Sequence, residues 1–178
     1  MYIWIGIDCE KGLESIRDDV KRVDDIIQFD HSMFSLPYHI SLKITFEADK
    51  IKYKLIKKDL IKYFKTKSSF DIDVKGIEKH DNIVWLRMIN NDIIDNIHQD
   101  INNLLKDKYD ISLHEYDLDF IFHTTLYMND DIDKISKAYD LIKDIKVPSK
   151  LHLDTFLIGK STGGNLGSFR IAKRIKRK

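Results

Sequence analysis

The sequence YHISLKITF at residues 38–46 has a counterpart in FIFHTTLYM at residues 120–128. Both stretches are apolar and rich in β-branched residues, so each predicts a β-strand. Each also holds a histidine followed two residues later by a hydroxyl, His39 with Ser41 and His123 with Thr125. Because side chains at positions i and i+2 of a strand point to the same side, each stretch predicts an imidazole and a hydroxyl on one face of a sheet.

Two such strands facing each other would provide one general base, one general acid and two neutral hydrogen-bond donors. That set suits an in-line displacement at a phosphodiester: one imidazole accepts a proton from the attacking oxygen and the other donates a proton to the leaving oxygen. The hydroxyls would hold the non-bridging oxygens. A coincidence of two motifs in an unrelated α+β interaction protein is the alternative, and it predicts imidazoles that lie far apart.

The surroundings of the two motifs indicate an internal duplication with an offset of 84 residues. Each motif strand is followed by a helix-like amphipathic stretch and then by two strand-like stretches. Trp85 and Phe169 fall at the same offset. In the first half these stretches are residues 51–64, 70–77 and 82–89; in the second they are residues 132–145, 151–159 and 168–175. A strand at 2–8, a helix at 11–29 and a third amphipathic helix at 91–109 complete the pattern.

Length and composition predict one domain covering residues 1–178. The chain is 43% hydrophobic and has no linker-like or low-complexity segment. We therefore expect a single α+β domain of two similar lobes, each a small antiparallel sheet with helices outside. The active-site cleft would lie between the lobes, with His39 and His123 on central strands.

The net charge of +1 does not decide for or against a nucleic-acid partner, but the distribution of charge is uneven. Residues 170–178 contain six Lys/Arg and no acid, which predicts either a solvated end or a contact with a phosphate backbone. The lone Cys9 cannot form an intrachain disulfide, and no signal peptide or membrane-length apolar run is present. These features predict a cytoplasmic protein without a membrane partner.

The paired His-x-Ser/Thr motifs in a duplicated frame resemble the two-histidine phosphoesterase superfamily. The resemblance covers nearly the whole chain, including Pro37-Tyr38-His39-Ile40-Ser41-Leu42. It implies that His39 and His123 are catalytic, that Ser41 and Thr125 bind the substrate phosphate, and that a positively charged groove lies between the lobes. Phe122 stands where members of the family often have proline.

The resemblance also implies an activity. We expect a metal-independent phosphodiesterase that acts on a nucleotide or an RNA end, at a 2′,3′-cyclic phosphate or a 2′-5′ linkage, as a monomer and without a cofactor. RNA cyclic phosphates, ADP-ribose cyclic phosphate, 2′-5′ oligoadenylates and cyclic oligonucleotides all remain open as substrates. So do the direction of reaction and the choice of acid and base. An inactive relative that binds RNA or a nucleotide is the alternative, although a pure binder needs no pair of proton-transfer groups.

Five further residues are candidates for lining the groove. Lys43 and Tyr127 follow the two histidines at i+4, and the alternatives for them are a solvated strand end and the core. Phe169 is predicted either to stack on a base or to pack in the core. Lys160 and Arg170, with Lys173 and Arg174, are the nearest basic groups in the sequence for a longer RNA. Core packing is favoured for Trp85, and stacking on a base is the alternative for it.

The remaining polar clusters predict structure rather than chemistry. No histidine or cysteine spacing matches a metal site. The acidic stretch around His114, which includes Asp117 and Asp119, predicts a solvated loop rather than a hard-metal site. Residues 161–164 predict a hairpin turn. The other five histidines are expected at the surface or in structural roles: His31, His80, His98, His114 and His152.

Overall fold

The computed structural model describes residues 1–29, 36–164 and 166–178. The chain forms eight strands and four helices over these residues. In chain order they are β1 (Tyr2–Asp8), α1 (Glu14–Ile27), β2 (His39–Glu47), α2 (Lys50–Phe64), β3 (Phe70–His80), β4 (Ile83–Met88), α3 (Asp92–Tyr109), β5 (His123–Met128), α4 (Ile132–Ile142), β6 (Lys150–Leu153), β7 (Thr155–Ser161) and β8 (Arg170–Lys176).

The strands form two four-stranded antiparallel sheets, which confirms the predicted α+β fold of two lobes. The first sheet has the order β2-β1-β7-β8 and the second has the order β5-β4-β3-β6. Helix α1 packs against α4, while α2 packs against α3, and α3 and α4 contact the sheets. In the described residues, no helix combines the length and the apolar character needed to span a membrane.

The two halves of the chain exchange one strand. With β6 and β8 left aside, each half runs strand-helix-strand-helix-strand, as β1-α1-β2-α2-β3 and then as β4-α3-β5-α4-β7. Strand β3 of the first half pairs with β4, whereas β7 of the second half pairs with β1. Each lobe therefore contains strands from both halves. The alignment that equated Trp85 with Phe169 was wrong, because Trp85 lies in β4, which holds the place that β1 has in the other sheet, whereas Phe169 directly precedes β8.

The predicted strand at residues 151–159 is two strands. Asp154 separates β6, which pairs with β3, from β7, which pairs with β1. The chain therefore passes from one lobe to the other at Asp154. Periodicity could not reveal this crossing, since the apolar pattern continues on both sides of it.

The motif strands lie at the ends of their sheets rather than at the centres, contrary to our expectation. In each sheet only one strand pairs with the motif strand, β1 with β2 and β4 with β5. The strands β2 and β5 are nevertheless in contact with each other. This contact brings the two motifs together.

Side-chain caps set the start of three helices. The carboxylate of Asp49 accepts hydrogen bonds from the backbone N–H groups of Ile51 and Lys52, at 2.8 Å each. Asn91 and Asp131 cap α3 and α4 in the same way. Such caps satisfy N–H groups that have no partner within the helix.

Candidate active site

The four residues of the two motifs line one cavity. Strand β2 presents His39 and Ser41, and strand β5 presents His123 and Thr125. The cavity has a volume of about 570 Å³ and lies between the two sheets. The alternation of side chains in each strand places imidazole and hydroxyl on the same face, as the sequence predicted.

Each imidazole is held by a backbone carbonyl two residues before it. Nδ1 of His39 lies 2.8 Å from the oxygen of Pro37, and Nδ1 of His123 lies 2.7 Å from the oxygen of Ile121. Because a carbonyl oxygen can only accept, Nδ1 carries the proton in both rings. Nε2 of each neutral ring is then left as a proton acceptor.

Burial favours the neutral form of both histidines. It lowers the pKa of His39 to about 4, and the charge of His123 adds to this effect when that ring is protonated. Burial also lowers the pKa of His123 below its ordinary value. Both rings are thus neutral at neutral pH in the free protein, and a protonated ring needs either acid or an anionic ligand.

A tryptophan packs against each histidine. The ring centroids of Trp4 and His39 are 4.2 Å apart, and those of Trp85 and His123 are 4.4 Å apart. The sequence patterns did not single out Trp4, and for Trp85 they favoured core packing over stacking on a base. An alignment begun at β1 and β4, rather than at the motifs, would have matched the two tryptophans.

The rest of the cavity wall is largely aromatic and apolar. Phe169 lines it, and so does His80 at the end of β3. That Phe169 stacks on a base stays a prediction. Asp81 and Asp119 are the acidic residues of the wall. No lysine or arginine lines the cavity among the residues that the structure describes, which differs from the positively charged groove that the resemblance implies.

The prediction that Lys43 and Tyr127 line the groove was wrong. Both side chains are buried: Lys43 is paired with the carboxylate of Asp117, and the hydroxyl of Tyr127 donates to the carbonyl of Val20 at 2.8 Å. Tyr127 belongs to the core, which was the alternative for it, whereas Lys43 is not a solvated strand end.

A β-bulge at the same place in each motif strand explains both errors. Lys43 pairs with Ile5 and Ser41 with Gly6, so that Leu42 is an extra residue in β2. In β5, Leu126 is the extra residue between the pairs that Thr125 and Tyr127 form with β4. An extra residue reverses the alternation of side chains, so the i+4 position faces the interior.

Lys160 and Arg170 do not line the cavity. Lys160 is exposed, with Nζ 5.8 Å from the centre of the Tyr53 ring. Arg170 is also exposed, and its guanidinium donates to the carbonyl oxygens of Gly167 and Phe169, at 2.7 Å each. Since Gly167 and Phe169 are wall residues, Arg170 supports the cavity from outside.

The basic C-terminal segment is a strand rather than a solvated end. Strand β8 pairs with β7 along its length, and Ile175 is buried. Arg174 forms an ion pair with Asp8, which pairs in register with His39. One guanidinium of this segment therefore lies near the first motif.

The other histidines singled out in the sequence, where the structure describes them, are either buried in a structural role or exposed at the surface. His98 is buried, with its ring nitrogens 2.9 Å and 3.0 Å from the carbonyl oxygens of Leu42 and Asp117. His114 and His152 are exposed. His31 lies outside the described residues. The acidic loop is not wholly solvated, because Asp117 is buried.

The predicted turn at residues 161–164 is held by hydrogen bonds to a serine. The hydroxyl of Ser161 accepts hydrogen bonds from the N–H groups of Gly163 and Gly164, at 3.1 Å and 3.0 Å, as in the predicted turn. Over the described ranges, no three residues of the types His, Cys, Asp or Glu come together in a group that could hold a metal ion.

Comparison with solved structures finds the same fold in several of them, at low sequence identity. A crystal structure titled only "phosphoesterase" matches with a TM-score of 0.61 and 15% identity, over 99% of this chain and 98% of that one. LigT of E. coli, complexed with NADP⁺, matches with a TM-score of 0.60 and 14% identity over 98% and 96%. TT0787 of Thermus thermophilus matches with a TM-score of 0.59 and 11% identity over 99% and 97%.

The comparison of sequences alone gives no match, either to a family model or to a curated protein. The likeness therefore rests on the arrangement of helices and strands, and it extends over almost the full length of both chains. The two-lobed fold of this chain is therefore also the fold of these solved structures, LigT among them.

Proposed function

We propose that the protein is a metal-independent phosphodiesterase that acts on a nucleotide or an RNA end, at a 2′,3′-cyclic phosphate or a 2′-5′ linkage. One observation carries the proposal: both His-x-Ser/Thr motifs line the same cavity, and each imidazole is oriented by a carbonyl in the same way. The catalytic residues of the proposal are His39 and His123. Its phosphate-binding residues are Ser41 and Thr125.

The reaction needs one neutral and one protonated imidazole. In the opening of a cyclic phosphate, the neutral ring takes a proton from water as the water oxygen bonds to phosphorus. The protonated ring donates its proton to the ribose oxygen as that oxygen leaves. The enzyme then holds the same number of protons as before, with the two rings exchanged. Hydrogen bonds from Ser41 and Thr125 would stabilise the charge that develops on the non-bridging oxygens.

The wall of the cavity supports a nucleotide as the substrate class. Aromatic rings of Tyr116, Phe120 and Phe169 line the cavity, and such rings stack on bases. LigT has been crystallised with 3′-AMP, with ATP and with NADP⁺. These complexes are of a protein with the same fold, and they favour a nucleotide over a phosphodiester of another kind.

Two alternatives remain to be tested. An inactive relative would bind nucleotides or RNA without turnover, and an interaction protein would do neither. The orientation of both imidazoles argues against these alternatives, since a binder gains nothing from two Nε2 atoms kept free as acceptors. That the protein acts as a single-domain monomer in the cytoplasm stays a prediction.

A four-substrate assay tests the proposal. The purified protein would be incubated with an RNA 2′,3′-cyclic phosphate, ADP-ribose cyclic phosphate, a 2′-5′ oligoadenylate and a cyclic oligonucleotide, in chelator and without added metal. We expect turnover of at least one substrate, lost in the His39→Ala/His123→Ala double variant. Binding without turnover would identify the inactive relative, and turnover that requires a divalent ion would refute the metal-independent mechanism.

A further inference from the structure

The indole ring of Trp4 lies in a slot formed by two glycines. A Cβ atom added at Gly6 would lie 2.5 Å from Cζ2 of Trp4, and one added at Gly159 would lie 2.5 Å from Cε3. Since neither contact is sterically possible, the ring can occupy this place only because both neighbours lack a side chain. Leu157 and Phe169 pack around it, and only 5% of Trp4 is exposed.

From this slot Trp4 contacts both functional residues of the first motif. Its ring meets the imidazole of His39 edge-on, at a centroid distance of 4.2 Å and an interplanar angle of 68°. Its Nε1–H donates a hydrogen bond to Oγ of Ser41 at 3.1 Å. The Trp4 side chain thus packs against the imidazole of His39 and orients the hydroxyl of Ser41.

The second motif has a tryptophan without the corresponding hydrogen bond. Trp85 packs on His123 and stacks on His80, and its Nε1 is buried without a hydrogen-bond partner among the described residues. The register between the paired strands explains why Trp85 lacks this hydrogen bond. Trp85 pairs directly with Thr125, whereas Gly6 pairs with Ser41 and Trp4 reaches Ser41 from two residues away.

We propose that Trp4 is a positioning residue that acts through Ser41. A serine hydroxyl has one hydrogen to donate and two lone pairs, while an indole N–H can only donate. The bond from Trp4 therefore occupies a lone pair of Ser41 and leaves the hydroxyl hydrogen for an acceptor in the cavity. This inference rests on the proposed function, in which that acceptor is a non-bridging phosphate oxygen. It makes the two hydroxyls unequal, since Trp85 gives Thr125 no such bond.

A double-mutant cycle of Trp4 and Ser41 tests the proposal. Trp4→Phe keeps an aromatic ring in the slot but removes the N–H, and Trp85→Phe makes the same change of ring where no hydrogen bond is lost. We expect Trp4→Phe to lower kcat about 3- to 10-fold more than Trp85→Phe does, in keeping with one hydrogen bond between neutral groups. Trp4→Phe should then cost little or nothing further when it is added to Ser41→Ala, because Trp4 acts only through the hydroxyl that Ser41→Ala removes.

Independent effects would overturn the proposal. If the losses from Trp4→Phe and Ser41→Ala multiply, or if Trp4→Phe and Trp85→Phe cost the same, then Trp4 only fills space. Nuclear magnetic resonance gives a readout that a space-filling role does not move: Ser41→Ala should shift the indole N–H resonance of Trp4 and leave that of Trp85 in place.

Failure of the proposed function can be recognised separately. If the unmodified protein turns over none of the four substrates, the affinity for inorganic phosphate replaces kcat in the same cycle. Coupling between Trp4 and Ser41 in phosphate affinity would still support the positioning role. Additive effects on that affinity, or no phosphate binding at all, would overturn it.

Discussion

Lys43 and Asp117 form an ion pair that is sealed from solvent, with side-chain exposures of 1% and 0%. Asp117 also accepts hydrogen bonds from the N–H groups of His114 and Ile44, at 2.8 Å and 3.4 Å. Lys43 follows the first motif in β2, and Asp117 lies in the segment that leads to the second. The pair therefore ties together two parts of the chain that both contribute to the cavity wall.

Removing Lys43 should destabilise the fold strongly. In Lys43→Met the carboxylate of Asp117 stays buried without its counter-charge, and breaking a buried pair in this way costs about 3–5 kcal/mol. Denaturant unfolding would measure the loss. The double variant Lys43→Met/Asp117→Leu should recover part of it, because neither charge then remains buried.

An exposed pair provides the control for that experiment. Lys150 lies 3.7 Å from Asp73, and both side chains are more than half exposed. Lys150→Met should change the free energy of unfolding by less than about 1 kcal/mol. A loss for Lys43→Met no larger than this would show that the buried pair contributes no more than a surface one.

Replacing either histidine of the cavity should abolish most turnover. General acid or base catalysis contributes about 10²–10⁴-fold, so His39→Ala and His123→Ala should each lower kcat by that factor. Ser41→Ala and Thr125→Ala should cost less, since each removes one neutral hydrogen bond. Steady-state kinetics and circular dichroism would separate catalysis from folding. His152→Ala is the control, because His152 is exposed and pairs with Asp71; a loss equal to that of His39→Ala would argue against a specific role.

The pH dependence of kcat/KM should be bell-shaped with its maximum on the acidic side of 6.5, the ordinary histidine pKa. At a pH below both pKa values, of which that of His39 is about 4, both imidazoles are protonated and no base remains. As pH rises through the higher of the two pKa values, which burial lowers, no acid remains. A maximum above pH 7 would contradict this assignment.

The free energy of unfolding should depend on pH because the pKa of His39 is lowered in the folded chain. Above pH 6.5 the histidine is neutral in both the folded and the unfolded chain. Between pH 6.5 and about 4 the unfolded chain binds a proton that the folded chain does not, so stability falls as pH falls. The variant His39→Asn should show a weaker fall over this interval in denaturant unfolding at stepped pH.

Neutralising Arg174 should distinguish an RNA substrate from a small nucleotide. Arg174 pairs with Asp8 near the first motif, so an RNA strand leaving the cavity on that side can contact its guanidinium. Arg174→Gln should lower kcat/KM for a short RNA with a cyclic phosphate end and reduce its log–log salt dependence by about 0.7. A mononucleotide cyclic phosphate should be affected less.

Lys173 is the matched control for Arg174. It is exposed on the same strand, one residue away and on the other side of it. Lys173→Gln should leave the salt dependence with RNA unchanged. Equal responses of the two substrates to Arg174→Gln would mean that Arg174 acts on the structure around Asp8 rather than on RNA. Shortening the chain is not a useful test, because β8 is part of the sheet.

Local patterns predicted the elements and the two motifs well. Helix positions follow from apolar spacing and from capping residues such as Asn91, and strand alternation places Ser41 beside His39. The errors come from features that leave no local signal. The extra residues Leu42 and Leu126 are ordinary strand residues, and nothing in their chemistry shows that the alternation reverses after them.

Pairing between distant strands accounts for the other errors. The basic residues of β8 resemble a solvated tail until Ile175 is seen to pack against the core. Trp4 was overlooked because its importance depends on Gly6 and Gly159, which come together only when β1 and β7 pair. Such long-range relations are set by the whole chain rather than by any short window of it.

The strand exchange also governs the order in which the active site can form during synthesis. Once residue 47 has been made, β1 and β2 can pair as two strands, but their sheet lacks β7 and β8 until residues 155–176 follow. Isolated pairs of strands are only marginally stable in water. The sheet bearing β5 can already hold three strands by residue 128. A chain that ended before residue 155 would thus carry His123 on a nearly complete scaffold and His39 on an unfinished one.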